Sequence, residues 1–314
     1  MADVIQVEHL IKKYKTGQKN AVNDISFSVK AGEFFTLLGP NGAGKTTTIS
    51  ILNTTLSKTS GTLKVAGFDV DTQSADVRQS IGVIFQNQSL DLNLTAEENI
   101  RFHAVLYGLY PFRPTYGLMP DSYKKRVQEL AQILDIQEKI FDQIKTFSGG
   151  MKRKLEIIRG LIHNPKVLFL DEPTTGLDPL SRQNLWEYLS EVRKELKTTI
   201  FLTTHYLEEA ENADRVCIIN HGQIVSLGSP EDLKKEFVEE YIVMDSLHRA
   251  QLMKELKSHH LRFEGEGPFT VHLDKKTVQQ VIQFIKVNLT VVKVHSPSLE
   301  EAYVEVIKED VAHT

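Results

Sequence analysis

Gly39-Pro40-Asn41-Gly42-Ala43-Gly44-Lys45-Thr46-Thr47 is the stretch on which the fold turns. It reads G-x-x-x-x-G-K-T, the spacing of a phosphate-binding P-loop. Phe34 to Leu38, just before it, read as a buried strand, and Thr46 to Leu56 read as the helix that follows. Glycines at such a junction let backbone N–H groups wrap a phosphate, and the helix N-terminus favours the anion. Lys45 supplies a point charge for the β- and γ-phosphates, and the Thr46 hydroxyl a ligand for Mg²⁺. The competing reading is a Gly-rich strand–helix turn with no ligand. The complete motif, standing between a strand and a helix, argues against it.

The rest of the chain sets bounds. A length of 314 residues accommodates one large domain or two. With 41% hydrophobic and 25% charged residues, the composition is that of an ordinary globular protein with a sizeable core. A net charge of −4 gives no sign of a nucleic-acid partner, and none is expected. Cys217 is the single cysteine, which rules out an intrachain disulfide and suits a cytosolic setting; it reads as a small apolar residue of a strand. Asp3 and Glu8 sit where a signal peptide would be apolar, and no run approaches the ~18 apolar residues of a membrane span. Any action at a membrane is therefore expected to pass through a partner.

Working outward, Val4 to Val7 and Ala21 to Val29 read as strands around a loop holding Lys12-Lys13-Tyr14. Tyr14 suits either stacking on an adenine ring or packing on its own sheet. Ile81 to Phe85 is an apolar strand ending at Gln86, and polar groups at strand C-termini of α/β folds face the ligand crevice. One glutamine is a weak signal. Thr95-Ala96-Glu97-Glu98 is a capping-box pattern that starts a helix running to about Tyr107. Tyr107 to Tyr123 holds Pro111, Pro114 and Pro120, so it is not one continuous helix. It reads as an insertion packing its own aromatics or as a partner-docking loop. Ser148, Gly149 and Gly150 open a helix reaching Leu161, either as a simple cap or as a second anion site. Lys152, Arg153 and Lys154 read as a solvated face.

Lys166 to Leu170 is a short strand that ends in Asp171-Glu172. Adjacent carboxylates are costly without a cation or a proton to hold. Asp171 suits a Mg²⁺ shell and Glu172 a general base for water, against the plainer reading of a helix-capping acidic pair. Thr174 to Pro179 is a turn into a helix from Leu180 to Leu196. His205 follows the strand Thr199 to Thr203; a lone histidine there is ordinarily structural, but its place at the rim that carries Asp171 and Glu172 favours a γ-phosphate contact. Ser229-Pro230 starts a helix that closes the first domain, giving expected domains 1–237 and 238–314. The second reads strand–helix–strand–strand–helix–strand from Tyr241 to His295, the ferredoxin-like order, with a last helix from Ser298 to Ile307. It shows no phosphate loop or metal-ligand cluster, and His259-His260 read as a solvated helix end.

The ordered set resembles the nucleotide-binding subunit of ABC transporters. Gly39 to Thr47 resemble the Walker A motif, Gln86 the Q-loop and Phe147-Ser148-Gly149-Gly150-Met151 the signature motif. Val167 to Glu172 resemble Walker B with its catalytic glutamate, Gly176-Leu177-Asp178 the D-loop, and His205 the H-loop. Tyr14 falls where that family stacks adenine. The resemblance spans Val4 to Phe237. It implies an α/β P-loop NTPase cassette, a RecA-like core plus helical subdomain, followed by a small α+β ferredoxin-like domain. It implies ATP and Mg²⁺ as cofactors. Tyr14, Gly39, Pro40, Asn41, Gly42, Ala43, Gly44, Lys45, Thr46, Thr47, Ser148, Gly149 and Gly150 would hold the nucleotide, and Thr46, Gln86 and Asp171 the metal. Glu172, His205, Lys45 and Gln86 would carry hydrolysis. Two copies would sandwich ATP, Walker A of one facing the signature of the other, with Ser148, Gly149, Gly150 and Asp178 at the interface. Met151 departs from the family's usual glutamine and cannot make the same polar contacts.

Ser298-Leu299-Glu300-Glu301-Ala302-Tyr303 resembles the ending of daunorubicin-resistance-type ATPases, as does Thr59 to Thr62 with Val65 to Val70. Those serve ABC-2 exporters through a separate membrane subunit. The expectation is an ATPase at the cytoplasmic face of the membrane, working with an ABC-2-type permease to export a drug, lipid, polysaccharide or ion. The alternative is a soluble ABC ATPase acting on ribosomes, DNA or a cofactor-assembly scaffold. A third reading, compatible with the first, makes the C-terminal domain a ligand sensor.

Overall fold

The computed structural model describes residues 2–15, 19–86, 89–274 and 276–313. They fall into two compact units, Met1–Leu227 and Gly228–Thr314. The first runs, in chain order, through β1 (Asp3–Lys13), β2 (Asn20–Lys30), β3 (Phe34–Leu38), α1 (Lys45–Leu52), β4 (Ser60–Val65), β5 (Phe68–Asp69), α2 (Ser74–Ser80) and β6 (Ile81–Ile84). It continues with α3 (Ala96–Leu106), α4 (Asp121–Ile133), α5 (Gly149–Leu161), β7 (Val167–Asp171), α6 (Pro179–Leu196), β8 (Thr199–Thr204), α7 (Leu207–Ala210), β9 (Arg215–Asn220) and β10 (Gln223–Gly228).

β3, β7 and β8 are buried along their whole length, which is why they read as near-continuous apolar runs rather than alternating ones. They lie in a sheet of order β10-β9-β3-β8-β7-β6, with β9-β3-β8-β7-β6 paired in parallel. The C-terminal ends of adjacent parallel strands converge on one edge, so the residues after β3, β7 and β8 meet there. β1 and β2 instead alternate buried with exposed positions and form an antiparallel sheet of order β2-β1-β4-β5. The two sheets share a core in which Phe35 stacks between Phe27 and Phe201, both at 5.4 and 5.4 Å between ring centroids. Each such ring removed from water contributes about 1.5–3 kcal/mol.

β1 runs further than its sequence suggests. Lys12 and Lys13 are strand residues, not loop, because the Lys12 stem is buried and its ammonium donates to the Ser57 carbonyl at 2.6 Å. Tyr14 follows the strand directly. The capping box at α3 is complete: Thr95 Oγ1 accepts from Glu98 N at 3.2 Å, and Glu98 Oε2 accepts from Thr95 N at 2.8 Å. The proline-containing stretch resumes helix at Asp121. Its rings do pack on one another, Tyr110 and Tyr116 both edge-on to the fully buried Tyr123 at 5.4 and 6.3 Å, and Tyr116 also meets Phe141 outside the stretch at 5.1 Å.

The second unit comprises α8 (Pro230–Phe237), β11 (Tyr241–Asp245), α9 (Arg249–Ser258), β12 (Phe263–Glu264), β13 (Phe269–His272), α10 (Val278–Phe284), β14 (Val291–His295) and α11 (Leu299–His313). Its sheet has the order β12-β13-β11-β14 with antiparallel neighbours, which together with the chain order is the ferredoxin-like topology. Ile242, Met244, Leu252, Leu256, Phe269 and Val271 form its core. α8, which the sequence reading assigns to the first domain, packs on α11 and lies in the second unit.

Candidate functional site

Three strand ends build the site. The loop after β3 needs glycine twice for steric reasons. A Cβ on Gly39 would lie 2.2 Å from the Ile219 carbonyl oxygen. Gly44 holds φ +110°, and a Cβ there would lie 2.6 Å from the Ala21 carbonyl oxygen. With those contacts the loop turns into α1 around a cavity of about 140 Å³ lined by Ala21, Asn41, Gly42, Gly44, Lys45, Thr46, Thr47 and Glu172. Pro40 and Ala43 close the loop through an Ala43 N to Pro40 O bond of 3.2 Å.

Lys45 is buried, and its ammonium donates to the carbonyls of Gly39 at 2.8 Å and Pro40 at 3.1 Å. It also stands 3.5 Å from Glu172 Oε1. Burial pulls its pKa down, and the charges of Glu172 and Asp171 oppose that pull. Asp171 ends β7. One of its oxygens accepts from Thr203 Oγ1 at 2.5 Å and lies 3.5 Å from Thr46 Oγ1. Burial pushes its carboxyl up; the Thr203 hydrogen bond opposes this and the neighbouring Glu172 charge adds to it.

Glu172 is the point of convergence. It sits at φ 45°, a left-handed conformation that costs a non-glycine residue on the order of 1 kcal/mol or more. Its amide donates to the Thr203 carbonyl at 3.0 Å, which fixes that turn. Lys45 faces one carboxylate oxygen. Gln86 Nε2 at 3.5 Å and His205 Nδ1 at 3.4 Å face the other. Tyr14 lies beside the loop helix, its hydroxyl 3.3 Å from Thr47 Oγ1 and its ring 42% exposed. An exposed ring next to a phosphate loop is free to stack on a planar group.

The structure thus brings together Tyr14, Lys45, Thr46, Thr47, Gln86, Asp171, Glu172 and His205. It does not bring Ser148, Gly149 and Gly150 to them. Ser148 caps α5, accepting from Met151 N at 3.2 Å, and Ser148, Gly150 and Met151 line a separate cavity with Leu177 and Ser181. Among the described residues, the two cavities share none. Asp178 is exposed and caps α6, accepting from Ser181 N at 3.0 Å.

One expectation is overturned. Arg153 is not on a solvated face: it is 3% exposed, paired with Glu156 at 2.8 Å, and it donates to the Phe85 carbonyl at 2.7 Å. Lys154 is half-buried over the Tyr188 ring at 4.2 Å. Glu156 and Arg159 bind the Ser89 amide and carbonyl at 2.9 and 2.8 Å. One helix therefore grips the chain on both sides of Gln86. The i, i+3 spacing of Arg153 and Glu156 was the only signal for this in the sequence, and three consecutive basic residues obscured it.

A P-loop, a carboxylate pair and a histidine on the C-terminal edge of a parallel sheet define a nucleotide-hydrolysing α/β cassette. Comparison with known proteins agrees. The family model for ABC transporters matches residues 22–175. The chain is 41% identical over 231 residues to the linearmycin resistance ATP-binding protein LnrL of Bacillus subtilis, covering 73% of this chain and 70% of that protein. It is also 41% identical over 231 residues to the doxorubicin resistance ATP-binding protein DrrA of Mycobacterium tuberculosis, covering 73% of this chain and 67% of that one. Among solved structures, cbiO1 from Clostridium perfringens, part of the ABC transporter complex cbiONQ, superposes with a TM-score of 0.67 at 29% identity, covering 75% of this chain and 92% of that one. The chain belongs to the ABC transporter family as an ATP-binding subunit, and it is an ATPase.

Proposed function

We propose that this subunit powers export through a separate ABC-2-type membrane protein, hydrolysing ATP in a dimer of two cassettes. The observation that carries the chemistry is the convergence of Lys45, Gln86 and His205 on the Glu172 carboxylate. Glu172 takes the proton of the attacking water. His205 holds the γ-phosphate end, and Lys45 neutralises charge on the β- and γ-phosphates. Thr46, Asp171 and Gln86 offer oxygen donors of the kind Mg²⁺ prefers, and the 3.5 Å between Thr46 Oγ1 and Asp171 Oδ1 puts two of them side by side. When bound, the metal neutralises phosphate charge. Ser148, Gly149 and Gly150 complete the site from the second cassette, with Asp178 at the same interface. Support for this is that the signature and P-loop cavities have no residue in common within a chain.

Export is supported by the relatives named for resistance to linearmycin and doxorubicin. Among the described residues no helix is long and apolar enough to cross a membrane. By analogy with those relatives, the cassette works at the cytoplasmic face of the membrane, and its cargo passes through the partner. The cleft beside Gln86, lined by the half-exposed Phe85 with His103, Tyr107 and Arg159, is the surface offered to that partner. Affinity purification of the chain from detergent-solubilised membranes tests this. An integral membrane protein with about six spans should co-purify, and Phe85→Glu should release it. Recovery with ribosomes or DNA instead would favour a soluble ATPase.

A further inference from the structure

Glu209 lies outside every motif above, yet it is 2% exposed on α7, four residues past His205. One of its oxygens accepts a hydrogen bond from the Thr174 hydroxyl. The Thr204 hydroxyl also lies beside the carboxyl, but the second oxygen makes no well-formed hydrogen bond among the described residues. Burial pushes its carboxyl up, against the hydroxyls of Thr174 and Thr204. A buried carboxyl with an unsatisfied oxygen is a poor way to stabilise a core, where an apolar side chain of similar size does as well or better. Its place in the fold is more informative. Thr174 is fully buried in the turn between Glu172 and Asp178, and it anchors that turn by accepting from Leu177 N at 3.0 Å.

A second bridge runs parallel to the first. Arg182 Nε donates to the Leu177 carbonyl at 3.2 Å. Its guanidinium lies 4.6 Å from the centre of the Tyr206 ring, which in turn stands 4.1 Å from the His205 ring. Two bridges therefore tie residues 174–177, which leave the sheet from β7, to residues 204–209, which leave it from β8.

We propose that Glu209 is a positioning residue: through Thr174 it holds the turn carrying Glu172 and Asp178 in register with His205. The partner-facing turn and the hydrolytic carboxylate then move as one body. This rests on Glu172 and His205 being the reacting pair, so Glu172→Gln is assayed alongside; a wild-type rate in that variant removes the site assignment itself, whatever the Glu209 variants do. The experiment measures steady-state ATPase rate and ATP-analogue affinity on the full chain.

Glu209→Ala and Thr174→Val should each lower kcat by about tenfold or more, with nucleotide Kd within about threefold of wild type. Combining them should be no worse than the slower single change, since both cut one link. Thr174→Ser, which keeps the donor, and Glu209→Gln, which keeps an acceptor, should stay within about threefold of wild type. If Glu209→Ala does not fold, Thr174→Val against Thr174→Ser makes the same comparison. The proposal is overturned if Thr174→Val turns over at the wild-type rate, if the two losses add, or if rate, affinity and melting temperature fall together.

Discussion

At the scale of single residues, the site separates groups whose removal has different consequences. Glu172→Gln keeps shape and hydrogen bonding but cannot accept the proton of water. It should bind ATP normally and hydrolyse it at least ~10²-fold more slowly, accumulating a nucleotide-bound dimer. Near-normal turnover in a stopped-time phosphate-release assay would refute the base assignment. Lys45→Ala removes a buried ammonium and should weaken nucleotide binding itself, through a lost charge-assisted contact. His103 makes a different kind of prediction. Burial, with Arg159 and His163 beside it, pushes its pKa down to about 3, so it folds as the neutral ring. The unfolded chain binds a proton there below its ordinary value while the folded chain does not. Stability contributed by this residue is therefore full above about pH 6.5 and falls as pH drops towards 3, by at most about 1.4 kcal/mol per pH unit. Urea midpoints between pH 7 and pH 4.5 should show a shallower acid limb for His103→Asn than for wild type. Parallel limbs would mean that His103 is protonated in the folded state.

At the scale of elements, α5 does more than present the signature. Arg153 and Glu156 form a buried pair on it, and Arg153 also holds the Phe85 carbonyl. Breaking a buried pair from one side strands the other charge, so Arg153→Met should cost about 3–5 kcal/mol in urea unfolding. The double change with Glu156→Met should recover most of that. A solvated arginine would cost no more than about 0.5 kcal/mol, and that result would contradict the buried geometry. This element also marks the limit of what the sequence conveys. The strands β3, β7, β8 and β9 were legible because burial on both faces makes them near-continuous apolar runs, and the caps at Thr95, Ser148 and Ser229 because side-chain capping is local; the cap at Asp178 was not read. Lys45, Asp171, Glu172 and His205 were legible because their chemistry is tied to positions at strand ends. α4 was not read. Its buried positions Tyr123, Val127, Leu130 and Ala131 have helical spacing, but they follow a proline-rich segment and sit among charges. Nor were Glu209, which carries no local mark of burial, and Arg153, whose i, i+3 partner Glu156 was hidden among neighbouring basic residues. Their role depends on contacts with Thr174 and Phe85, 35 and 68 residues away in the chain.

At the scale of the whole molecule, the P-loop cavity and the signature cavity share no residue among those described, which supports the proposed pairing of two chains. Complementation between two damaged copies tests the pairing. Take one chain with Lys45→Ala and another with Gly149→Asp. A side chain at position 149 is sterically free, since a Cβ there meets nothing nearer than Leu177 Cδ2 at 3.9 Å. An aspartate in the first turn of α5 also suits the helix dipole, so folding is retained. What it brings is a carboxylate facing the γ-phosphate, a like-charge clash in a desolvated site. Each variant alone should be nearly inactive as a homodimer, because both of its sites are spoiled. In a tethered mixed pair the two defects fall together in one site, the altered P-loop facing the altered signature. The other site then has Lys45 facing Gly149 and is intact. ATP-driven closure should return, followed by scattering or by cross-linking across the tether, with up to about half the wild-type ATPase rate if the sites fire independently. If turnover needs both sites, closure returns without the rate. If neither returns, while a tethered wild-type pair shows both, each chain completes its own site and the sandwich is wrong for this protein.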